Sequence, residues 1–116
     1  MMISATDFEK IITDAREKSL ERIDPLSSYV LQQCEKGFNE GVDMMYYALR
    51  NREICADGID KWEAHGLAYK TMRKCEVEVD NTNPLADYVE KSQNSGVFRM
   101  FYEIANRILD EGGAGA

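Results

Sequence analysis

Carboxylates recur at helical spacing near the start of the chain, and such groups can bind Mg²⁺ or meet a basic partner. The four residues are Asp14, Glu17, Glu21 and Asp24. Their intervals of three and four residues predict one acidic face of a helix. A Mg²⁺-dependent small hydrolase using this face is one alternative for the protein. Because basic residues are interleaved with the acids and paired ExxE motifs are lacking, we interpret the face as solvated and open to a protein partner.

A zinc site or a nucleophile would have to use the single histidine, His65, and the three cysteines, Cys34, Cys55 and Cys75. No C-x-x-C pair occurs, whereas zinc sites usually contain one such close pair. A nucleophilic cysteine needs an adjacent base, and no local motif places His65 in that position. We therefore predict no catalytic residue, no metal and no cofactor, and we interpret the thiols as small buried groups.

The segment 61–74 combines basic and aromatic residues, a mixture that can bind nucleic acid. Its basic residues are Lys61, Lys70, Arg73 and Lys74, and Trp62 and Tyr69 stand among them. This face is a second alternative for function. The simpler interpretation is an amphipathic helix whose basic side is exposed to solvent and whose aromatic rings are buried.

Aromatic residues and methionines cluster in two places and exceed what a small core needs. The candidate surface residues are Tyr46, Tyr47, Phe98 and Tyr102. Aromatic residues and methionine are enriched at protein interfaces. We therefore predict that the protein self-associates, as a dimer.

The net charge of −7 disfavours nucleic acid, because nucleic-acid binding depends on lysine and arginine neutralising phosphates. No apolar run is long enough to span a membrane, and the first residues do not form a secretory signal. An odd number of widely spaced cysteines indicates a reducing compartment, so we expect a cytoplasmic protein.

The elements that position these residues are predicted to be helices. A capping box at Thr6 and Glu9 begins helix A, about 7–23, and Asp24-Pro25 ends it and starts helix B, about 25–50. The apolar stripe of helix B is Leu26, Val30, Cys34, Phe38, Val42, Met45 and Leu49. Gly37 and Gly41 interrupt that stripe, which predicts close packing by a neighbouring helix.

The second half is predicted to contain helix C, about 59–74, an extended connection over 75–80, and helix D over 84–110. Asn94-Ser95-Gly96 is a weak point that divides helix D into two pieces. Residues 112–116 are predicted to be a flexible tail after a single domain, residues 1–111. The fold class is all-α, a compact bundle of four to five helices in which the two long helices pack with two shorter ones.

The segment 83–97 partly echoes the segment 24–38 with an offset of 59, and the 26 positions 24–49 aligned at this offset contain five identities. This similarity is explained by a common need to start a long amphipathic helix sharply. The function predicted from these patterns is non-catalytic protein–protein contact. One specific version is a phage or mobile-element regulator or inhibitor, whose acidic face covers a basic, nucleic-acid-binding surface of its target.

Overall fold

The computed structural model describes residues 2–52, 54, 57–79 and 83–114. Within these residues the chain forms an all-α bundle of four helices, as predicted, together with one very short pair of strands. The elements in order are β1 Met2–Ile3, α1 Ala5–Ser19, α2 Tyr29–Arg50, β2 Ile59–Asp60, α3 Lys61–Cys75 and α4 Pro84–Ala114. The strands were not predicted, because a two-residue strand has no periodicity to detect.

Helices α2 and α4 form the centre of the bundle and run in the same direction. Gly37 lies beside Val89, and one turn later Gly41 lies beside Gln93. The close packing predicted from the two glycines is therefore present. The core between the helices includes Phe8, Ile11, Ile12, Val42, Met45, Leu49, Val97, Met100, Ile104 and Ile108.

Helices α1 and α3 each pack against both central helices and run antiparallel to them. Arg16 contacts Asp43, whereas the later residue Glu21 contacts the earlier residue Asn39. The contacts of α3 with α4 follow the same antiparallel order. The chain therefore alternates in direction from one helix to the next.

Helix α1 begins and ends earlier than predicted. Its N-cap is Ser4, whose hydroxyl accepts a hydrogen bond from the N–H of Asp7 at 3.0 Å, so the predicted cap at Thr6 is wrong. The helix stops at Ser19 because the backbone then turns extended and the side chain of Asn39 binds both polar groups of Glu21.

The Asp24-Pro25 sequence forms a turn and does not start a helix, which corrects the prediction. The carboxylate of Asp24 accepts from the N–H of Leu26 at 2.9 Å, and its carbonyl accepts from the N–H of Ser27 at 3.1 Å. Helix α2 starts after Ser28, whose hydroxyl caps it. Leu26 and Val30 are consequently exposed and do not belong to the buried stripe.

Helix α4 is continuous through Asn94-Ser95-Gly96, so the predicted division into two pieces is wrong. Gly96 is needed there for a close contact with α2 and does not break the helix. The predicted extended connection is present over 76–79, and Asp80 lies outside the described residues. The helix includes the first three residues of 112–116, and the tail stays a prediction for Gly115 and Ala116, outside the described residues.

Each half of the chain contains one strand followed directly by one shorter helix, β1-α1 and β2-α3. Corresponding residues of the two halves are 56 positions apart. The strands pair antiparallel, and Ile3 pairs with Ile59, its own counterpart. Helices α1 and α3 both contain 15 residues. Each is followed by a residue of nearly the same conformation, φ −61° and ψ 132° at Leu20 and φ −61° and ψ 131° at Glu76.

An asparagine holds the linker after the shorter helix in both halves. The amide of Asn39 accepts from the N–H of Glu21 at 2.7 Å and donates to its C=O at 2.9 Å. Asn94 makes the same two bonds to Val77, again at 2.7 and 2.9 Å. The asparagine lies 18 residues after its partner in the first pair and 17 residues after it in the second. The offset of 56 between the shorter helices therefore becomes an offset of 55 between α2 and α4.

The two halves meet through reciprocal glycine contacts. A Cβ atom on Gly41 would overlap the carbonyl oxygen of Gln93, and a Cβ atom on Gly96 would overlap that of Phe38. Gln93 is the counterpart of Phe38, so each half makes to the other the contact that it receives. Such reciprocity is the signature of a two-fold relation. The fold is therefore a pseudo-symmetric pair of β-α-α units.

The sequence supports this correspondence over the central helices. Residues 39–52 and 94–107 share seven identities in 14 positions, which is far denser than the echo with an offset of 59. The alignment with an offset of 59 pairs Gly37 with Gly96, whereas in the structure Gly41 corresponds to Gly96. The alignment with an offset of 59 is therefore wrong. The identical pairs are Asn39/Asn94, Gly41/Gly96, Val42/Val97, Met45/Met100, Tyr47/Tyr102, Asn51/Asn106 and Arg52/Arg107.

Substituting alanine for either asparagine should destabilise the fold by similar amounts. Asn39→Ala and Asn94→Ala each remove two hydrogen bonds to a linker residue, with an expected loss of about 1–3 kcal/mol in the free energy of unfolding. Urea denaturation measures the loss. Asn106→Ala, at an exposed site on α4, is the matched control and should be neutral. Equal stability of Asn94→Ala and Asn106→Ala would contradict the role of these bonds.

Candidate protein-binding surface

The four acids predicted to share one helix face are divided between a helix and a linker. Asp14 contacts Arg107 of α4 at 3.4 Å, and Glu17 is exposed on α1. Glu21 and Asp24 lie beyond the end of α1, where their backbone groups are held by side chains of α2. A continuous acidic helix face is therefore not formed, although Glu17, Glu21 and Asp24 are exposed.

The four predicted surface aromatics do not form one cluster. Tyr46 is buried, with the Arg16 guanidinium 5.3 Å from its ring centre and the Tyr47 ring in edge contact. Phe98 and Tyr102 lie one turn apart on the same face of α4, next to Phe101, which contacts α3. Among the described residues, no ring contact joins Tyr47 to the α4 aromatics.

A different aromatic surface is formed where α3 meets α4. The ring of Phe101 makes edge contacts with His65 at 5.6 Å and with Tyr69 at 6.0 Å between ring centres. Trp62 stands one helical turn before His65 on α3, and Phe98 and Tyr102 stand one turn apart on the adjacent, more exposed side of α4. We call this surface the aromatic face, and its residues are Trp62, His65, Tyr69, Phe98, Phe101 and Tyr102.

Much of the aromatic face is accessible to solvent. The exposed fractions are 66% for Trp62, 48% for Tyr69, 50% for Phe98 and 59% for Tyr102. The interpretation of Trp62 and Tyr69 as buried core residues is therefore wrong. Their spacing of seven residues did indicate a shared helix face, but nothing in the pattern showed that α4 would cover only part of it.

The first half shows that the fold does not require aromatic residues at positions 62 and 98, although it has Tyr46 and Tyr47 at the counterparts of Phe101 and Tyr102. The counterpart of Trp62 is Thr6, and the counterpart of Phe98 is Asp43. In the first half Asp43 forms an ion pair with Arg16 at 2.6 Å, which raises the pKa of that arginine through the hydrogen bond. The groove between α1 and α2 therefore carries a polar contact at the position where the groove between α3 and α4 presents Phe98.

Two of the basic residues predicted to bind nucleic acid border the aromatic face. The ammonium of Lys61 lies 5.0 Å from the centre of the Trp62 ring, a cation–π contact. Arg73 is exposed and contacts Glu76 at 3.6 Å. Lys70 and Lys74 instead line a cavity with Arg52 on another face of α3. The predicted basic face is therefore split between two surfaces.

The residues considered for metal binding or nucleophilic chemistry are not gathered into a site in the part of the chain that the structure describes. No group of three or more His, Cys, Asp or Glu side chains there is close enough to hold a metal ion. His65 packs on Phe101, and burial raises the pKa of the Cys75 thiol. Cys34 is partly buried, and Cys55 lies outside the described residues.

Comparisons with known proteins give no family for this chain. No family model, no curated protein and no solved structure matches it. Over the described residues, no helix is both long enough and apolar enough to cross a membrane.

Proposed function

We propose that this protein is non-catalytic and acts by binding another protein through the aromatic face. The observation that carries the proposal is the exposure of Trp62 and Phe98 at positions where the first half has Thr6 and Asp43. Exposed rings that the fold does not need are best explained by a contact outside the chain.

The size of the aromatic face suits a protein contact. A large aromatic side chain buries about 150–250 Å² when fully covered, so four half-exposed rings offer on the order of 400 Å². Exposed apolar patches of this size on monomeric proteins are often functional. Tryptophan and tyrosine, both present here, are also the residues that most often dominate binding energy at interfaces.

The charges around the aromatic face favour a partner of opposite sign. Lys61 lies at its edge beside the Trp62 ring, so a segment with apolar side chains and a flanking acid would match it. A symmetric dimer through this face would bring the Lys61 ammonium groups of both copies into one interface without adding an acid to pair with them, which is unfavourable. We therefore favour a different protein, with self-association as the competing outcome.

The more specific versions of this function have less support from the geometry. An inhibitor that covers a basic surface would use exposed acids such as Glu17 and Glu21, which do not lie on one helix as was predicted. It stays a prediction, as does the cytoplasmic location, to which the free thiols Cys34 and Cys75 are suited.

Binding can be tested with substitutions taken from the first half. Trp62→Thr and Phe98→Asp place on the aromatic face the residues found at the corresponding positions, and should reduce the retention of a partner from a cell lysate at least about tenfold, as expected for loss of a central aromatic contact. Quantitative mass spectrometry of the retained proteins measures the effect.

Tyr47→Ala is the matched control, because Tyr47 is 50% exposed but lies outside the aromatic face. It should retain the same partner as the unmodified protein. Equal retention by all variants would exclude the aromatic face as the binding site. A dimer seen by light scattering that Phe98→Asp dissociates would assign the face to self-association.

A further inference from the structure

An ion pair between the two halves has a symmetry-related counterpart in which both residues are basic. Asp14 of α1 and Arg107 of α4 are 3.4 Å apart. The residues that correspond to them are Lys70 of α3 and Arg52, just after α2. Where α1 presents an acid to an arginine of the other half, α3 presents a lysine to an arginine of the other half.

These two basic residues line a cavity of about 470 Å³. Its lining residues are Arg52, Glu63, Gly66, Leu67, Lys70 and Lys74. Gly66 leaves the cavity open, since a Cβ atom there would meet no atom within 4 Å, and its counterpart in the first half is the long side chain of Lys10. Space and positive charge therefore occur together at this site, which we call the basic cavity.

The positive charge of the basic cavity is not neutralised by ion pairs within the described residues. Arg52, Lys70 and Lys74 form no ion pair there, whereas Arg107 in the other half does. Three cations and the single carboxylate of Glu63 leave a net charge of +2 in a protein whose total charge is −7. These charged side chains are exposed, so solvent weakens their mutual repulsion, and a bound counter-ion would relieve the part that remains.

We propose that the basic cavity binds a dianionic phosphate group. Such a group would take the place that the carboxylate of Asp14 occupies in the first half, and its two negative charges match the net charge of the cavity. Arginine binds phosphate through two parallel N–H groups, and lysine binds it as a point charge. The site lies on a different face of α3 from the aromatic face, so it does not depend on the proposed function.

The phosphate could be inorganic or part of a small phosphate ester, and the two sources are separated by titration. Calorimetry with inorganic phosphate and with glycerol phosphate, in chloride buffer of matched ionic strength, measures each affinity. Binding of both with similar affinity assigns the site to the phosphate group alone. Binding of the ester at least about tenfold more tightly assigns it to a phosphate ester, since tenfold corresponds to one additional good polar contact.

The decisive variant is Lys70→Asp, which introduces the charge found at the corresponding position of the first half. It should weaken phosphate binding at least about tenfold, the effect expected from losing a charge-assisted hydrogen bond and adding a repulsive charge. It should also raise the melting temperature of the ligand-free protein, because an acid would face Arg52 as Asp14 faces Arg107. This second effect shows that loss of binding is not loss of folding.

Lys10→Asp is the matched control, because it makes the same change of charge at an exposed position outside the basic cavity. It should bind phosphate as the unmodified protein does. The proposal is overturned if phosphate binds no better than chloride, or if Lys70→Asp and Lys10→Asp bind phosphate equally well.

Discussion

Substituting alanine for Gly41 or Gly96 is expected to destabilise the protein by about 3 kcal/mol or more, the upper range for overpacking a close contact. The added Cβ atom would overlap a backbone carbonyl oxygen, that of Gln93 or of Phe38. Backbone atoms at a helix crossing cannot rotate away as a side chain can, so α2 and α4 would have to separate. Urea denaturation followed by circular dichroism measures the loss.

Gly66→Ala is the matched control for these two variants. Gly66 also lies within a helix, but a Cβ atom there meets nothing within 4 Å. Because alanine favours the helix over glycine by about 1 kcal/mol, Gly66→Ala should stabilise the protein. If Gly41→Ala were as stable as Gly66→Ala, the close crossing of α2 and α4 would be wrong.

Phe8→Ala should have an effect of similar size, with an expected loss of about 3–5 kcal/mol in the free energy of unfolding. Phe8 is 2% exposed and lies in the core between α1 and the central helices, so its removal leaves a cavity that neighbours cannot fill. Thermal or chemical denaturation detects a loss of this size readily.

Phe98→Ala separates the contribution of an aromatic ring to the fold from its contribution to binding. Phe98 is 50% exposed, so the same chemical change should lower stability by about 1 kcal/mol or less. It should nevertheless weaken binding to the partner of the aromatic face. A loss of stability equal to that of Phe8→Ala would show that Phe98 serves the core, and would remove it from the proposed interface.

The existence of the four helices follows from their apolar periodicity, but their ends do not. Asp24-Pro25 satisfies the local rules for a helix start as well as Ser28 does. The choice depends on Asn39, which holds Glu21 in an extended conformation from a neighbouring helix. The role of Gly96 also depends on a neighbouring helix, because a glycine at a close helix crossing and a glycine at a helix break look the same in a sequence.

The candidate site was predicted only in part for a related reason. Periodicity places Trp62 and Tyr69 on one face of a helix, but whether that face is buried depends on how much of it α4 covers. Tyr46 was predicted at the surface, although its ring is enclosed by Arg16 and Arg50. The repeat was misaligned because the offset of 59 matches Pro25 with Pro84, although Pro25 lies in a turn before α2 and Pro84 is the first residue of α4.

The covalent link between the two β-α-α units has a consequence for stoichiometry. In an assembly of two identical chains, any substitution alters both grooves, and both would gain or lose a ligand together. Here Asp43 and Phe98 could diverge independently, as could Asp14 and Lys70, while Gly41 and Gly96 still hold the units together. One chain should therefore engage one copy of its partner, despite offering two grooves of nearly the same backbone shape.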